Sequence, residues 1–259
     1  MSPRLPAIFF GHGNPMNALQ TNAYTYAWSA MATRLPRPRA IVSVSAHWFM
    51  PGTHVTAMSR PRTIHDFGGF PRELYAVQYP APGAPEFAAE IQKLLAPVRV
   101  TADEDWGLDH GTWSVLKHLY PAADLPVIQL SIDETQPAEF HYAVGRRLRA
   151  LRDEGILLIG SGDIVHNLRT YAWDRRPTEP YDWAVRFESR VRELILRRDH
   201  GPLIEYGSLG RDAALAAPTP EHYLPLLYVL GAAAEDDEIT FPVDGVDGGS
   251  VSMLAVQVG

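Results

Sequence analysis

The sequence contains no cysteine. That absence excludes disulfide staples, Cys-type structural zinc and iron–sulfur clusters, so nitrogen and oxygen must supply the donors for any metal. Basic runs and basic–aromatic stripes are also absent. The 23 Lys and Arg against 30 Asp and Glu leave a formal charge of −7, which speaks against nucleic acid as a partner. The longest apolar stretch, around Leu224 to Ala234, is shorter than the roughly 20 residues that cross a bilayer, so no membrane role is expected. The opening Met-Ser-Pro-Arg-Leu-Pro lacks the apolar run of a secretion signal, and a cytoplasmic protein is the expectation. There is no Gly-x-Ser-x-Gly elbow, no His-Glu-x-x-His helix and no Gly-x-Gly-x-x-Gly fingerprint, and no internal repeat.

What is present is ordinary globular composition: 259 residues, 46% hydrophobic and 20% charged. A chain of this length buries roughly three quarters of its unfolded surface and needs no staples, and we read residues 1–259 as one domain. Short apolar runs rich in β-branched residues predict strands at Ala7–Gly11, Ala40–Ala46, His54–Ala57, Val98–Thr101, Val127–Ile132, Ile156–Ser161, Glu238–Val243 and Ser250–Val258. Helical periodicity predicts Pro85–Leu95, Pro137–Glu154, Tyr181–Arg198 and Pro220–Gly231, the last with Thr219 as its N-cap. The alternation implies an α/β fold, a three-layer α/β/α sandwich around a mostly parallel or mixed sheet, with ligands gathering beyond the carboxyl ends of the strands.

Four of the ten histidines stand out there. His12 lies between two glycines after the first strand, which lets the backbone approach a ligand closely. His47 ends the second strand in Ser45-Ala46-His47-Trp48. His166 follows Gly160-Ser161-Gly162, a stretch that equally suits a phosphate cradle but lacks the P-loop lysine. His222 opens the last helix. Two loops add candidates: His110 beside Asp109 in Trp106-Gly-Leu-Asp-His110-Gly-Thr-Trp, and His65 in Ile64-His-Asp-Phe-Gly-Gly-Phe-Pro, an aromatic and glycine-rich wall suited to a planar ligand. His54, His118, His141 and His200 carry no such context.

The chain resembles the class III, LigB-like extradiol ring-cleavage dioxygenases, and within them the 4,5-DOPA dioxygenase family. The matching stretches are Gly11–Met16, Ser45–Trp48, Thr63–Pro71, Tyr79–Gly83, Gly107–Gly111, Gln129–Ile132, Ser161–Leu168 and Pro218–Pro225, eight motifs in order along nearly the whole chain. The resemblance implies an α/β/α core and a non-haem divalent metal centre. It implies His12, His47 and His222 as ligands, His166 as a fourth ligand or the acid–base residue, and His110 as a contact to substrate or oxygen. Iron(II) is then expected for activity, with zinc as an alternative bound species. Many enzymes of the broader class use two histidines and one carboxylate, whereas here the third position is His222. Glu221 is adjacent, but a helical neighbour points about 100° away.

The implied partners are a catechol and O2, with His65, Phe67, Trp48 and Asp109 around the substrate and Trp48, Trp113 and the Phe67–Phe70 loop sandwiching the ring. The copy number is left open between a monomer and a small homo-oligomer. Two other readings stand beside this one: a zinc-dependent hydrolase, because a histidine-rich site with an open position activates water, and a non-enzymatic binding module on the same fold.

Overall fold

The computed structural model describes residues 4–174 and 178–259. Its strands are β1 (Ala7–Gly11), β2 (Ala40–Met50), β3 (Thr53–Thr56), β4 (Val100–Asp103), β5 (Val127–Asp133), β6 (Ile156–Gly162), β7 (Ile239–Val243), β8 (Val246–Asp247), β9 (Val251–Ser252) and β10 (Ala255–Val258). Its helices are α1 (Ala23–Ala32), α2 (Arg72–Tyr75), α3 (Pro85–Leu95), α4 (His110–Leu119), α5 (Ala138–Asp153), α6 (Asp182–Leu196), α7 (Gly201–Ile204), α8 (Arg211–Ala216) and α9 (Leu224–Gly231). Eight strands form one sheet in the order β4-β3-β5-β2-β6-β1-β10-β7. The middle four, β5, β2, β6 and β1, run parallel, while β3 against β5 and β10 against both β1 and β7 are antiparallel, so the sheet is mixed.

Alternate residues of the central strands feed opposite cores. Phe9, Val42, Val44 and Leu158 pack on one side with Val144 and Leu148 of α5, Phe187 and Val191 of α6, and Leu226 and Val229 of α9. Ile8, Phe10, Ile41, Leu157 and Ile159 pack on the other with Trp28 of α1 and Trp113 and Leu116 of α4. Strands covered on both faces read as nearly unbroken apolar runs, which is why they are visible in the sequence. No helix among the described residues is long and apolar enough to cross a membrane.

Several boundaries differ from expectation for identifiable reasons. Strand β2 continues past Ala46 to Met50 through a bulge: its pairing with β5 runs Val44↔Leu130 and resumes at Phe49↔Ile132, so β2 advances five residues while β5 advances two. Such bulges re-aim side chains, and this one carries Ser45-Ala46-His47-Trp48. The segment expected as a single strand over Ser250–Val258 is two, with β9 pairing β8 and β10 pairing β1. The last helix starts at Leu224, and Thr219 bonds the Glu221 side chain instead of capping it. His222 therefore sits in the turn before α9.

Candidate active site

Three chain segments converge beyond the ends of β1, β2 and β6. His12 follows β1 directly, its backbone N–H bonding the Gly162 carbonyl at 3.0 Å, and Gly13 then turns away with φ of +61°, a conformation glycine adopts freely. His47 sits on the β2 bulge. The Asp163 N–H bonds the His222 carbonyl at 2.9 Å, and a side chain at Gly162 would collide with that carbonyl, so the turn before α9 lies flat across the end of β6. His110 begins α4 above a floor made of Ser45, Ser161 and Gly111, where any added Cβ would meet Ser45 and His47.

The rings form one cluster. Centroids lie 5.0 Å apart for His12 and His47, 5.4 Å for His12 and His222, and 3.9 Å for His47 and His110. His166 stacks face to face on His222, 3.5 Å between centroids and 8° between planes.

Hydrogen bonds fix where the ring protons are. Ser161 Oγ donates to the Gly111 carbonyl at 2.5 Å, so it accepts from His12 Nδ1–H at 3.0 Å. Asp66 Oδ2 accepts from His110 Nδ1–H at 2.9 Å and lies 3.1 Å from His47 Nδ1. Glu221 Oε1 accepts from His222 Nδ1–H at 3.2 Å. Each of these four rings, when neutral, therefore holds its proton on Nδ1 and presents a bare Nε2. The Nε2 atoms of His12 and His47 face each other at 3.1 Å. Two lone pairs at that distance need a shared proton or a cation between them. Outward nitrogens bonded to a carboxylate or a hydroxyl are the usual support of metal-ligating histidines. His12, His47 and His110, and separately His12, Asp163 and His222, bring donor atoms within 4.8 Å of one another, so this arrangement can hold a divalent ion.

Charge follows the same logic. Burial, then the neighbouring rings, pushes His12 and His222 well below the ordinary imidazole range. Burial, then the His47 charge, brings both His110 and His166 down to about 4. Burial also pulls on His47, but the Asp66 hydrogen bond and the charges of Asp109 and Asp66 outweigh it, leaving His47 the most basic ring of the cluster. Burial lifts the Asp163 carboxyl well above the usual range.

A cavity of about 340 Å3 opens over this floor, lined by the expected His12, His47, His110, His166, His222 and Phe67, with Asp66, Phe70, Leu168, Tyr171 and Trp173 added. Four expected contacts do not line it. Trp48 follows His47 on a strand, so it points to the opposite face, where it is 1% exposed and stacks on Trp106. Trp113 is likewise buried beneath His65 and Phe67. Asp109 is wholly buried: it caps α4 through the Thr112 N–H and accepts from Ser45 and Gln129 side chains. His65, also expected at the substrate, instead bonds the Val77 carbonyl at 2.9 Å and props Phe67 from behind. Sequence reasoning passes over Asp66 and Asp163, although both lie within motifs quoted above.

The pattern describing the LigB family, the catalytic subunit of aromatic ring-opening dioxygenases, matches residues 6–248. The chain is 53% identical over 262 residues to an Escherichia coli K12 protein named 4,5-DOPA dioxygenase extradiol, covering 100% of this chain and 96% of that one. A Beta vulgaris protein of the same name is 36% identical over 252 residues, covering 95% and 93%. A crystal structure of an uncharacterized Escherichia coli K12 protein superimposes with a TM-score of 0.87 at 50% identity, covering 99% of this chain and 100% of that one. With a histidine cluster at the strand ends and relatives of this closeness along its whole length, the chain belongs to the LigB family and is an aromatic ring-opening dioxygenase of the extradiol type.

Proposed function

We propose that the substrate is a catechol of the DOPA type, cleaved with O2 beside its two hydroxyls at a divalent metal held by His12, His47 and His222. Iron(II) serves turnover, and zinc is a bound but inactive alternative. The observation that carries this reading is the convergence of bare imidazole nitrogens on the floor of an aromatic-walled cavity. The names of the Escherichia coli and Beta vulgaris relatives supply the substrate class.

The protein's own bases are too weak to start the reaction alone. A phenol ionises near 10, and His110 and His166 titrate near 4. That gap of roughly 6 units corresponds to about 8 kcal/mol. When bound, the divalent ion would stabilise the phenolate and, as iron(II), pass electron density from ring to oxygen, which zinc cannot do. Asp66 holds the His47 and His110 rings so that their Nε2 atoms face the cavity. We assign His166 the role of proton carrier: its ring stacks on His222 and lines the cavity beside the ligand histidines. As a neutral ring it can take a catechol proton and return it later, the general acid–base role. Phe67 and Phe70, packed edge to face, supply an apolar wall to the space above the floor.

Anaerobic loading with iron(II), followed by DOPA or a simpler catechol and O2, tests the proposal. Yellow ring-opened product and one O2 consumed per catechol are expected. A metal-loaded protein that neither consumes O2 nor yields colour across a catechol panel would refute it.

A further inference from the structure

We infer that Asp163, in the turn after β6, supplies the carboxylate of the metal centre as a direct donor beside His12 and His222. The inference rests on the metal-centre reading above and adds a donor to it.

The Asp163 side chain is fully buried, and its two oxygens are treated differently. Oδ1 accepts the Gly13 N–H at 3.0 Å, whereas Oδ2 has no hydrogen-bond partner among the described residues. Leaving a buried carboxylate oxygen bare is costly unless a cation or donor faces it. The nearest candidate is His12 Nε2 at 3.5 Å, and it cannot donate: the Ser161 hydroxyl, engaged with the Gly111 carbonyl, keeps the His12 proton on Nδ1, on the other side of the ring. So Nε2 of His12 has two polar neighbours, Nε2 of His47 at 3.1 Å and Oδ2 of Asp163 at 3.5 Å, and can donate a proton to neither.

The spacings suit a shared ion. Two donors bound at ~2.1 Å to one ion sit about 3.0 to 3.4 Å apart in octahedral or tetrahedral arrangement. His12 Nε2 is 3.1 Å from His47 Nε2 and 3.5 Å from Asp163 Oδ2. His12, Asp163 and His222 form one of the clusters whose donor atoms all lie within 4.8 Å, and all three residues are buried.

Backbone geometry holds the placement. Asp163 N–H bonds the His222 carbonyl, and Oδ1 is tied to the loop that carries His12, so Oδ2 has little freedom to turn elsewhere. A neutral imidazole set leaves an ion's +2 charge intact. One carboxylate reduces it to +1, which a singly ionised catechol then balances. The carboxylate whose place His222 takes is thus provided from the turn after β6.

Asp163→Asn decides between a donor and a buried neutral acid, because the amide keeps the shape of a protonated carboxyl and removes the charge. Wild type and variant, stripped of metal, are titrated with Zn(II) against a chromophoric chelator and with Co(II) by visible absorption, and the metal-free forms are melted. Losing a residue that only orients a ligand typically costs 10–100-fold in affinity, so loss of a donor is expected to weaken Zn(II) binding by about 100-fold or more and to change the Co(II) bands. The metal-free variant should melt close to wild type, since the amide keeps the size of the acid and its oxygen can still accept the Gly13 N–H. Zn(II) affinity within about threefold of wild type overturns the inference while leaving the histidine centre standing. A wild type that takes up no ion overturns both. Should the Asp163→Asn variant fail to fold, a crystal structure of Zn(II)-loaded wild type replaces it: Oδ2 at about 2.0–2.2 Å from the ion is expected, and Oδ2 beyond about 4 Å refutes.

Discussion

Replacing Asp66 by Asn separates the protein's shape from the charge that orients two of its histidines. Asp66 Oδ2 serves His110 Nδ1 at 2.9 Å and His47 Nδ1 at 3.1 Å, while Oδ1 accepts the His110 N–H at 2.9 Å. An amide has one oxygen for these three donors. If that oxygen faces the rings, the amide NH2 meets the His110 N–H. If it faces the backbone, the NH2 meets both ring nitrogens and drives their protons to Nε2, into the cavity. Either orientation loses at least one hydrogen bond to a charged acceptor, worth about 1.5–3 kcal/mol. Asp66 is only 16% exposed, so solvent replaces little of it. Taking about 2 kcal/mol as lost metal-site organisation gives a roughly 30-fold weaker divalent-ion affinity, inside the range typical of partners that orient metal-bound histidines. Competition of Zn(II) against a chromophoric chelator measures it, with circular dichroism to verify folding. A folded variant whose Zn(II) affinity lies within about threefold of wild type would contradict the orientation argument.

Other consequences are open to direct measurement. Trp173 and Leu168 stand 54% and 47% exposed at the cavity mouth. With about fourfold in affinity per buried methylene, Trp173→Ala should raise KM for alkyl-substituted catechols several-fold over unsubstituted catechol, with kcat held; equal effects on both substrates would count against a rim that reads the substituent. Arg152 is fully buried and ties Asp237 to the carbonyls of Leu5, Ala232 and Val258. Arg152→Met removes the bidentate partner of that carboxylate, leaving it the Ala234 N–H and the more distant Arg4, and should cost about 3–5 kcal/mol, or roughly 6–20 °C in Tm by calorimetry; a fall under about 3 °C would speak against it. Burial brings His141, hydrogen-bonded to Tyr228 and distant from the cavity, down to about 4. Its unfolded ring takes a proton near 6.5 and its folded ring near 4, so this contribution is intact above about pH 6.5 and is lost as pH falls toward 4, by up to about 3 kcal/mol. Urea midpoints at about pH 7 and 4.5 should differ less for His141→Gln than for wild type; an equal difference in both proteins would assign the acid sensitivity elsewhere.

The parts of this protein that show in its sequence are those set by local rules. The run Ile156–Gly160 has no polar side chain, and Ala40–Val44 has only Ser43, because both sheet faces are covered; α5 and α6 carry one apolar stripe each. Helix α1 lacks such a stripe; its readable signal is Asn22, whose side chain accepts the N–H groups of Tyr24 and Thr25 in a capping box. The histidines stand out because glycine and strand ends frame them. Asp109 reads like a substrate contact because its sequence neighbours are glycine and tryptophans, yet its carboxylate is spent on the start of α4. The β2 bulge cannot be read from β2 alone, since it exists only relative to β5. Asp66 and Asp163 are single acids in loops of otherwise mostly uncharged residues, and only their distant partners, His47 and His12, give them meaning.

The floor and the rim of the cavity have different mechanical origins. His12 and His47 hang from the two strands that flank β6 in the parallel centre of the sheet, where a one-residue slip would turn every neighbour to the wrong face. Phe67, Phe70, Leu168 and Trp173 lie on connecting loops, which tolerate exchange and insertion. The reacting centre and the choice of molecule can therefore change independently: descendants of one chain can diversify in diet while inheriting a single chemistry, and a laboratory seeking new ring-opening specificities has reason to randomise the rim and leave the strand ends untouched.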